Sequence, residues 1–441
     1  MTDTFAPTAY QLQSVATGNI FPDTGWMLDA PGEEKHSLIR AIYKNKQLIT
    51  KGIEFGLYTF ADWLPIKRML KGSSVPVTYK SEGLANALGL KNLYITFSGY
   101  WPQKGALMRS CSFKETEAFA VGGRMTESQY TDVLVVASAG NTARAFAQVC
   151  SDNKIPLLLC VPEDNLDALW FEAAINPCVK LLATEKGSDY FDAIHLSNQI
   201  IGLEGFYAEG GAKNVARRDG MGTTVLSAST FIGRIPDYYF QAIGSGTGAI
   251  AAWEANMRLI EDGRFGTHKM KLMISQNHPF VPIKQAWEAR SRDMLPYEND
   301  EAHRHVIEID AKVLSNRKPP YPIIGGLFDA LTDTGGMVLS ATNAEAKAAN
   351  KLFQETEGND LHPAAAIAVA SLINAVKDNQ VEKDAVIMLN ITGGGEELFK
   401  KTHQLHYLKP NAFLPIDCEL SVIKQTLSKL DWKFETTAKP A

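Results

Sequence analysis

The sequence predicts an α/β protein built around parallel sheets. From about Asp132 onward, strand-like runs alternate with helical patterns; the runs are DVLVVA, IPLLLCV, VKLLAT, YYFQAIG, KMKLMIS and AVIMLNI. This alternation predicts strands joined by crossover helices, and therefore a parallel sheet. Most runs are apolar on both faces, which is typical of strands that helices cover on both sides. We therefore expect the chemistry at the carboxyl ends of the strands.

Length and composition narrow the class of function. The chain has 441 residues, of which 45% are hydrophobic and 21% charged, so it has enough apolar material for a sizeable core. The net charge is −5, and Lys and Arg are scattered, which argues against binding to nucleic acid or to a membrane surface. We expect small-molecule chemistry in a cleft between two lobes. The polar stretch 288–320 breaks the pattern and is predicted to form a surface excursion near that cleft.

Cysteine and histidine usage points away from disulfides and metals. The five cysteines are odd in number and lack a CxxC pair, so neither a disulfide framework nor a zinc ribbon is indicated. His303 and His305 would share one face of a strand, but no third ligand follows, and we expect no metal site. Because residues 1–18 are polar and no apolar run reaches transmembrane length, we expect a cytoplasmic enzyme.

One glycine-rich loop follows a predicted strand and precedes a helix. It consists of Gly244, Ser245, Gly246, Thr247 and Gly248. Backbone N–H groups that converge at such a helix start favour a phosphate. The loop also fits the dinucleotide pattern GxGxxA, but a Rossmann unit requires an acid at the end of the next strand, where the chain has Gln276 and Asn277. A turn needed only for tight packing stays an alternative.

A second loop of this kind is SAGNT. Its residues are Ser138, Ala139, Gly140, Asn141 and Thr142. Hydroxyl, amide and backbone donors grouped there suit a carboxylate or a phenolate oxygen. The alternative is a helix start whose orphan N–H groups are capped by Ser or Asn.

Two further features of the sequence are weak evidence for a functional site when each is taken alone. Thr392 places a neutral hydroxyl where a predicted strand ends in TGGG, which by itself indicates only a turn. Lys114 lies in CSFKETEA, and a lone lysine is usually a solvated surface charge. Neither Walker A, GxSxG nor HExxH occurs in the chain.

In the order SFK, SAGNT, GSGTG and TGGG, the motifs resemble those of the fold-type II pyridoxal-phosphate enzymes, the tryptophan synthase β-like family that includes threonine synthase and cysteine synthase. The resemblance implies two lobes with parallel-rich twisted sheets flanked by helices, and pyridoxal 5'-phosphate as the cofactor. It implies Lys114 as the Schiff-base lysine and catalytic base, Asn141 on the cofactor's 3'-oxygen, residues 244–248 on its phosphate, and Thr392 beside the pyridine nitrogen.

The same resemblance implies a division of the chain. We expect a large cofactor-binding lobe from residues 1–120 and 210–441, and a small mobile lobe from residues 121–209 that carries the SAGNT loop. Closure of the lobes would exclude water from the reacting groups.

The segment NVARRDG resembles the threonine-synthase motif NPxRxEG, whose arginine contacts a phosphorylated substrate. A closer resemblance is to the cysteate synthases, a threonine-synthase-related family, over about residues 65–395 and in phrases such as EGGAKNVARRDGMGT and NRKPPY. It implies a β-replacement that makes L-cysteate from O-phospho-L-serine and sulfite through an aminoacrylate and releases phosphate. The residues expected to bind substrate are Ser138, Ala139, Gly140, Thr142, Lys104, Asn214 and Arg217, with Arg218 as a further anion contact or a solvent-facing neighbour.

Two alternatives stay open: threonine synthase acting on O-phosphohomoserine, and a catalytically silent ligand-binding paralogue. The stretch FSGYWPQKGALMRSCSFK predicts that Tyr100 and Trp101 crowd the lysine and shorten the pocket against an extra methylene. The expected partners are small-molecule substrates and a second copy of the chain in a homo-oligomer. The product would feed sulfonate biosynthesis, toward coenzyme M or a sulfonolipid.

Overall fold

The structure is a computed structural model that describes residues 6–125, 132–138 and 140–432. The strands are β1 (Tyr10–Ser14), β2 (Ile20–Phe21), β3 (Ile39–Tyr43), β4 (Val77–Lys80), β5 (Asn92–Phe97), β6 (Tyr100–Trp101), β7 (Ala106–Leu107), β8 (Val133–Ala137), β9 (Leu157–Pro162), β10 (Trp170–Phe171), β11 (Val179–Thr184), β12 (Phe206–Ala208), β13 (Tyr238–Ala242), β14 (Lys271–Asn277), β15 (Met337–Ala341), β16 (Val386–Ile391), β17 (His406–Tyr407) and β18 (Ala412–Leu414). The α-helices are α1 (Gly83–Leu88), α2 (Lys114–Arg124), α3 (Asn141–Asn153), α4 (Tyr190–Ile200), α5 (Val215–Ile232), α6 (Thr247–Asp262), α7 (Pro282–Glu288), α8 (Asn299–Glu308), α9 (Leu327–Thr334), α10 (Asn343–Glu357), α11 (Pro363–Lys377), α12 (Glu396–Thr402) and α13 (Leu420–Ser428). Short 3-10 segments cover Ile53–Trp63, Pro102–Lys104, Glu163–Ala168, Gly211–Lys213 and Lys312–Leu314.

The larger sheet has six strands in the order β15-β14-β13-β16-β5-β4. All neighbours are parallel except β4, which runs antiparallel to β5. Successive residues of β13 face opposite sides: Tyr239 joins the hydrophobic cluster of α5 and α6, and Phe240 joins that of α11. Helices therefore cover both faces, which explains why the predicted runs lack polar alternation.

The smaller sheet has five parallel strands in the order β12-β8-β9-β11-β18. Leu134 of β8 packs with α3, whereas Val135 packs with α4 and α13 on the other face. Strand β18 comes from near the carboxyl end of the described chain and pairs with β11, a partner that the sequence did not predict. The six predicted runs are confirmed as β8, β9, β11, β13, β14 and β16.

Strands β1, β2 and β3 form a separate antiparallel sheet with β1 in the middle. Leu12 and Ile39 from this sheet are fully buried in the cluster that includes α5 and α6. The Nη2 group of Arg218 on α5 donates to the Ile39 carbonyl, and the Tyr43 hydroxyl donates to Asp219. The sheet of β1, β2 and β3 thus packs onto the helices of the larger sheet.

Helix α2 joins the two sheets. It packs against α3, which covers the smaller sheet, and against α5, which covers the larger one. Because Lys114 is the first residue of α2, its side chain lies where the carboxyl ends of the two sets of strands meet. This is the edge at which an open α/β sheet binds its ligands.

Three observations bear on membranes, metals and disulfides. None of the described helices is both long enough and apolar enough to cross a bilayer. His303 and His305 lie on helix α8 and not on a strand, and the described residues contain no cluster of three or more metal-ligating side chains. The five cysteines are buried and unpaired as disulfides.

Candidate active site

Lys114 begins α2 directly after the loop that carries Ser112. Its Nζ lies 3.3 Å from Oε2 of the fully buried Glu117, one turn further along the helix. Burial lowers the pKa of Lys114, and the positive Arg217 nearby lowers it further, while Glu117 opposes the shift. A lysine with a lowered pKa has more of the uncharged amine that attacks carbonyls and accepts protons.

The glycine-rich loop joins β13 to the amino end of α6. Gly246 has φ +82°, and a Cβ there would lie 2.5 Å from Leu327 Cδ2, so glycine is required for both reasons. The Ser245 and Thr247 hydroxyls lie 2.9 Å apart beside the first turn of α6, which contains no acidic residue. Unsatisfied N–H groups with hydroxyls at a helix start form a site for an anion such as phosphate.

The SAGNT loop joins β8 to α3. The Ser138 hydroxyl accepts a hydrogen bond from the N–H of Gly140, the N-cap of α3, at 3.1 Å; no described side chain caps the N–H groups inside the helix, so the capping alternative is not supported. Asn141 Oδ1 accepts from Arg144 Nη2 at 3.1 Å, and Asn141 Nδ2 lies 3.2 Å from His362 Nε2. Ala139 lies outside the described residues.

Thr392 follows β16 and is bonded through its backbone to the loop that carries the lysine. Its carbonyl accepts from the Phe113 N–H at 2.9 Å, and Ser112 and Gly393 form an isolated antiparallel bridge. A Cβ on Gly393 would approach the Cys111 carbonyl oxygen to 2.9 Å, so a larger residue would push the two loops apart. The close approach holds Thr392 beside Lys114.

These loops enclose one continuous site made of two adjoining cavities. The inner cavity is lined by Lys114, Asn141, the whole glycine-rich loop, His362 and Thr392, among others. The outer one is lined by Lys114, Ser138, Gly140, Asn141, Thr142, Tyr190, Arg217 and Ser245, together with four residues of the segment 312–316. The structure therefore brings together the four motifs that are far apart in the sequence.

A cluster of four charged groups forms one wall. Arg217 Nε lies 3.1 Å from Glu117 Oε2, and Arg217 Nη1 contacts Glu209. With Lys114, the cluster contains two cations and two carboxylates. Burial raises the pKa of Glu209, and the Arg217 charge opposes the rise. The contact with Glu209 is a hydrogen bond, whereas Arg217 Nε makes none with the described residues despite its distance of 3.1 Å from Glu117, so the guanidinium keeps donors that could bind a further anion.

Not every predicted residue reaches the cavities. Lys104 is exposed, with its Nζ 4.4 Å from the Tyr79 ring centroid, and it lines neither cavity. Asn214 caps α5 by accepting from the Ala216 N–H, and its amide donates to the Glu209 carbonyl. It therefore contacts Glu209, one of the four charged residues of the wall, and lines neither cavity.

Arg218 and the two aromatic residues also lie elsewhere. Arg218 is fully buried and pairs with Glu254 at 2.9 Å, so neither the anion contact nor the solvent-facing position is correct. Trp101 packs on Phe97, and Tyr100 packs on Phe399; neither lines the cavities. The expectation that these rings shorten the pocket was wrong, because β6 turns them toward other aromatic residues.

Sequence reasoning missed several lining residues, among them Tyr190, His362 and part of the polar excursion. His362 precedes Pro363 at the start of α11, where a polar residue reads as a helix cap. Lys312, Ser315 and Asn316 belong to the polar excursion, whose predicted place near the cleft is confirmed. The resemblance of NRKPPY was the available signal for this segment.

The fold and the site are those of a pyridoxal-phosphate enzyme. A family model described as "Pyridoxal-phosphate dependent enzyme" matches residues 81–393. Among solved structures, maize serine racemase aligns with a TM-score of 0.57 at 15% identity, over 74% of this chain and 92% of that chain. Threonine deaminase isoform 2 from Solanum lycopersicum aligns with a TM-score of 0.54 at 16% identity, over 74% and 87%. At such identities the likeness shows the fold alone.

Curated relatives show which family of pyridoxal-phosphate dependent enzymes the chain is similar to. The chain is 46% identical to the cysteate synthase of Methanosarcina barkeri (strain Fusaro / DSM 804) over 381 residues, which are 86% of this chain and 91% of the relative. It is 47% identical to the cysteate synthase of Methanoculleus marisnigri (strain ATCC 35101 / DSM 1498 / JR1) over 388 residues, 88% of each chain. The chain belongs to the cysteate synthase family of pyridoxal-phosphate dependent enzymes.

The residues present fit this cofactor. A Cβ on Gly244 would lie 3.0 Å from the Leu314 Cα and one on Gly246 would strike Leu327, so these glycines are needed for tight packing, as the alternative anticipates. The loop also lines the inner cavity, where its backbone and the Ser245 and Thr247 hydroxyls could hold a phosphate. The partly buried side chain of Lys114 lines the same cavity. A phosphate cradle and a lysine of lowered pKa in one cavity are the two groups that pyridoxal phosphate requires.

Proposed function

We propose that this protein is a cysteate synthase that makes L-cysteate from O-phospho-L-serine and sulfite and releases phosphate. In this reaction the Cβ–O bond of phosphoserine breaks and a Cβ–S bond to sulfite forms. The observation that carries the proposal is the placement of Lys114 between the glycine-rich loop and Arg217, in cavities that Asn141 and Ser245 also line.

Pyridoxal phosphate supplies an electron sink for the negative charge that develops at the substrate Cα. Lys114 removes the proton from Cα and returns a proton there once the Cβ–S bond has formed. Residues 244–248 would hold the cofactor phosphate, and Asn141 and Thr392, which line the same cavity, would hold its ring. A neutral hydroxyl such as that of Thr392 would leave the ring unprotonated, which would favour loss of the leaving group over transamination.

Arg217 binds the substrate phosphate and then guides sulfite. Both are anions at neutral pH, so one cation serves the departing and the incoming group. Glu117 and Glu209 pair with the guanidinium and hold it in place. We place Ser138, Gly140 and Thr142 on the substrate carboxylate, because their loop lines the outer cavity next to Lys114.

A substrate panel tests this proposal against threonine synthase. O-Phosphoserine has its leaving group on Cβ and needs one deprotonation at Cα, whereas O-phosphohomoserine needs a second at Cβ before phosphate leaves Cγ. We expect sulfite-dependent phosphate release from O-phosphoserine and only competitive inhibition by O-phosphohomoserine, since one methylene changes binding by only ~1–3 kcal/mol. Threonine formation at a comparable rate would favour the alternative function.

Two further properties belong to the same proposal. We place the enzyme in the cytoplasm, where buried cysteines without disulfides are expected. We also propose a homo-oligomer, which is the common state of metabolic enzymes. Light scattering on the purified protein measures the oligomeric state.

A further inference from the structure

His362 lines the inner cavity beside Asn141. It is the residue immediately before α11, and its backbone N–H donates to the Gly393 carbonyl at 3.0 Å. A Cβ on Gly393 would lie 3.1 Å from the His362 Cβ, so the imidazole is anchored to the loop that follows Thr392. Its position is therefore fixed by the same loop that completes the site.

The helix cap determines which ring nitrogen carries the proton. The Ala364 N–H donates to His362 Nδ1 at 3.2 Å, so Nδ1 presents a lone pair. A neutral imidazole has one N–H, which must then be on Nε2. The charged groups that face the ring are Glu396 and Lys400 on α12 and Arg144 on α3; burial outweighs them and lowers the pKa of His362 to about 4. The ring is neutral at neutral pH.

The Asn141 amide is oriented by an independent contact. Arg144 Nη2 donates to Asn141 Oδ1 at 3.1 Å, which leaves the Nδ2 hydrogens on the side of His362. Nδ2 and Nε2 are then two donors 3.2 Å apart, and two donors cannot satisfy each other. A single acceptor in the cavity that both residues line would satisfy both.

We propose that His362 is a second donor, alongside Asn141, to the 3'-oxygen of the bound cofactor, and that the two side chains together stabilise that oxygen as an anion. The inference rests on the proposed function, because it takes the position of the 3'-oxygen from Asn141. A neutral donor pair strengthens its hydrogen bonds when the oxygen ionises, without adding a net charge beside the ring.

Two replacements separate a donor from a helix cap. His362→Gln keeps an N–H donor of similar reach but is a poor N-cap, whereas His362→Ser is a good N-cap that is too short to donate into the cavity. Asn141→Ala serves as the reference for loss of one donor. Each variant and the wild type are purified as holoenzyme, and the visible absorbance of the bound cofactor is titrated against pH.

We expect His362→Ser to raise the pH of the spectral transition by about one unit and to weaken cofactor retention about tenfold or more, as for loss of one hydrogen bond to a charged atom. His362→Gln should stay within about threefold of the wild type. Melting temperatures of the cofactor-free proteins measure the effect of each replacement on helix capping, separately from its effect on cofactor binding.

A His362→Ser protein with a wild-type spectrum, affinity and melting temperature, beside a His362→Gln protein that only melts at a lower temperature, would show that His362 is a cap and would overturn the inference. Equal spectral losses in both variants would overturn it as well, because Gln keeps the donor. A wild type that binds no pyridoxal phosphate would instead overturn the proposed function on which the inference rests.

Discussion

The Glu117 carboxylate contacts two cations, Lys114 at 3.3 Å and Arg217 at 3.1 Å, and its side chain is fully buried. The proton-accepting amine and the anion-binding guanidinium are therefore held by the same group. Burial lowers the pKa of Lys114, so the energy of desolvating the ammonium favours the reactive form of the amine. Replacing either cation tests a separate role.

Lys114→Ala should abolish the visible absorbance of lysine-bound pyridoxal phosphate and reduce turnover by at least the ~10²–10⁴-fold typical of a lost general base. Absorbance spectra and initial rates measure the two effects. Lys104→Ala is the matched control, because Lys104 is exposed and lies over aromatic rings outside the cavities. A Lys114→Ala enzyme that keeps both properties would refute the assignment.

Arg217→Ala should lower kcat/KM for O-phosphoserine roughly ten- to a hundred-fold, because a charge-assisted contact to phosphate contributes ~1.5–3 kcal/mol. The loss should be much smaller for O-acetylserine, which carries no phosphate. Steady-state kinetics with both substrates give the ratio. Equal losses would mean that Arg217 only balances the buried charges of Glu117 and Glu209.

Single residues were predicted where an ordered set of motifs marked them. Lys114, Asn141 and Thr392 are named by their motifs, and the structure brings them to one cavity. Tyr190 and His362 were not found, because their proximity to Lys114 depends on where α4 and α11 begin in space. Lys104 was misplaced since closeness in sequence to Lys114 says nothing about side-chain direction.

At the scale of elements, the loops after β13 and β16 meet because these strands are parallel neighbours of the larger sheet and end at the same edge. The loop after β8 comes from the smaller sheet and lines the same cavities. These strands were predictable since each is a short apolar run between turn signals. Strand β18 has only three residues and pairs with β11 from more than two hundred residues away in sequence, so no local pattern marked it. Where one lobe ends and the other begins stays a prediction.

The glycine-rich loop, residues 244–248, provides a prediction at the scale of elements. Gly246→Ala should weaken cofactor retention at least tenfold, because φ +82° and the contact with Leu327 both oppose a Cβ and shift the backbone N–H groups. Gly233→Ala is the control, because Gly233 ends α5 with φ +80° and has no atom near its Cβ position. Both variants incur the ~1–2 kcal/mol penalty of a left-handed backbone, but Gly233→Ala adds no steric contact. Fluorescence titration of the cofactor-free proteins measures affinity, and equal affinities in the two variants would contradict the prediction.

At the scale of the whole molecule, the polar excursion contacts the smaller sheet's helices over the outer cavity. Arg317 lies 2.8 Å from Asp189, the N-cap of α4, and Lys318 lies over the Phe191 ring. A Cβ on Gly140 would lie 3.6 Å from Val313, so the SAGNT loop meets the same segment. The sequence predicted that residues 288–320 lie near the cleft, but not this contact, because the pairing is between distant parts of the chain.

Arg317→Ala should loosen this contact and admit water. Water would then hydrolyse the aminoacrylate to pyruvate and ammonia before sulfite adds to it. Because a partly exposed ion pair contributes ~0.2–1 kcal/mol, the ratio of pyruvate to cysteate should rise by roughly two- to fivefold. Lys351→Ala, which breaks an exposed pair with Glu355 on α10, is the control. A coupled pyruvate assay gives the ratio, and an unchanged ratio would mean that the pair does not control water access.

Nuclear magnetic resonance of the holoenzyme with O-phospho-L-serine labelled with carbon-13 at Cβ, in the presence of sulfite, tests the proposed reaction most directly. The predicted result is that the labelled carbon becomes bonded to sulfur and that one inorganic phosphate appears for each cysteate formed, with no such product from the Lys114→Ala enzyme. Phosphate release that yields only labelled pyruvate, or a labelled substrate that stays unchanged while the cofactor is bound, would contradict the proposed function.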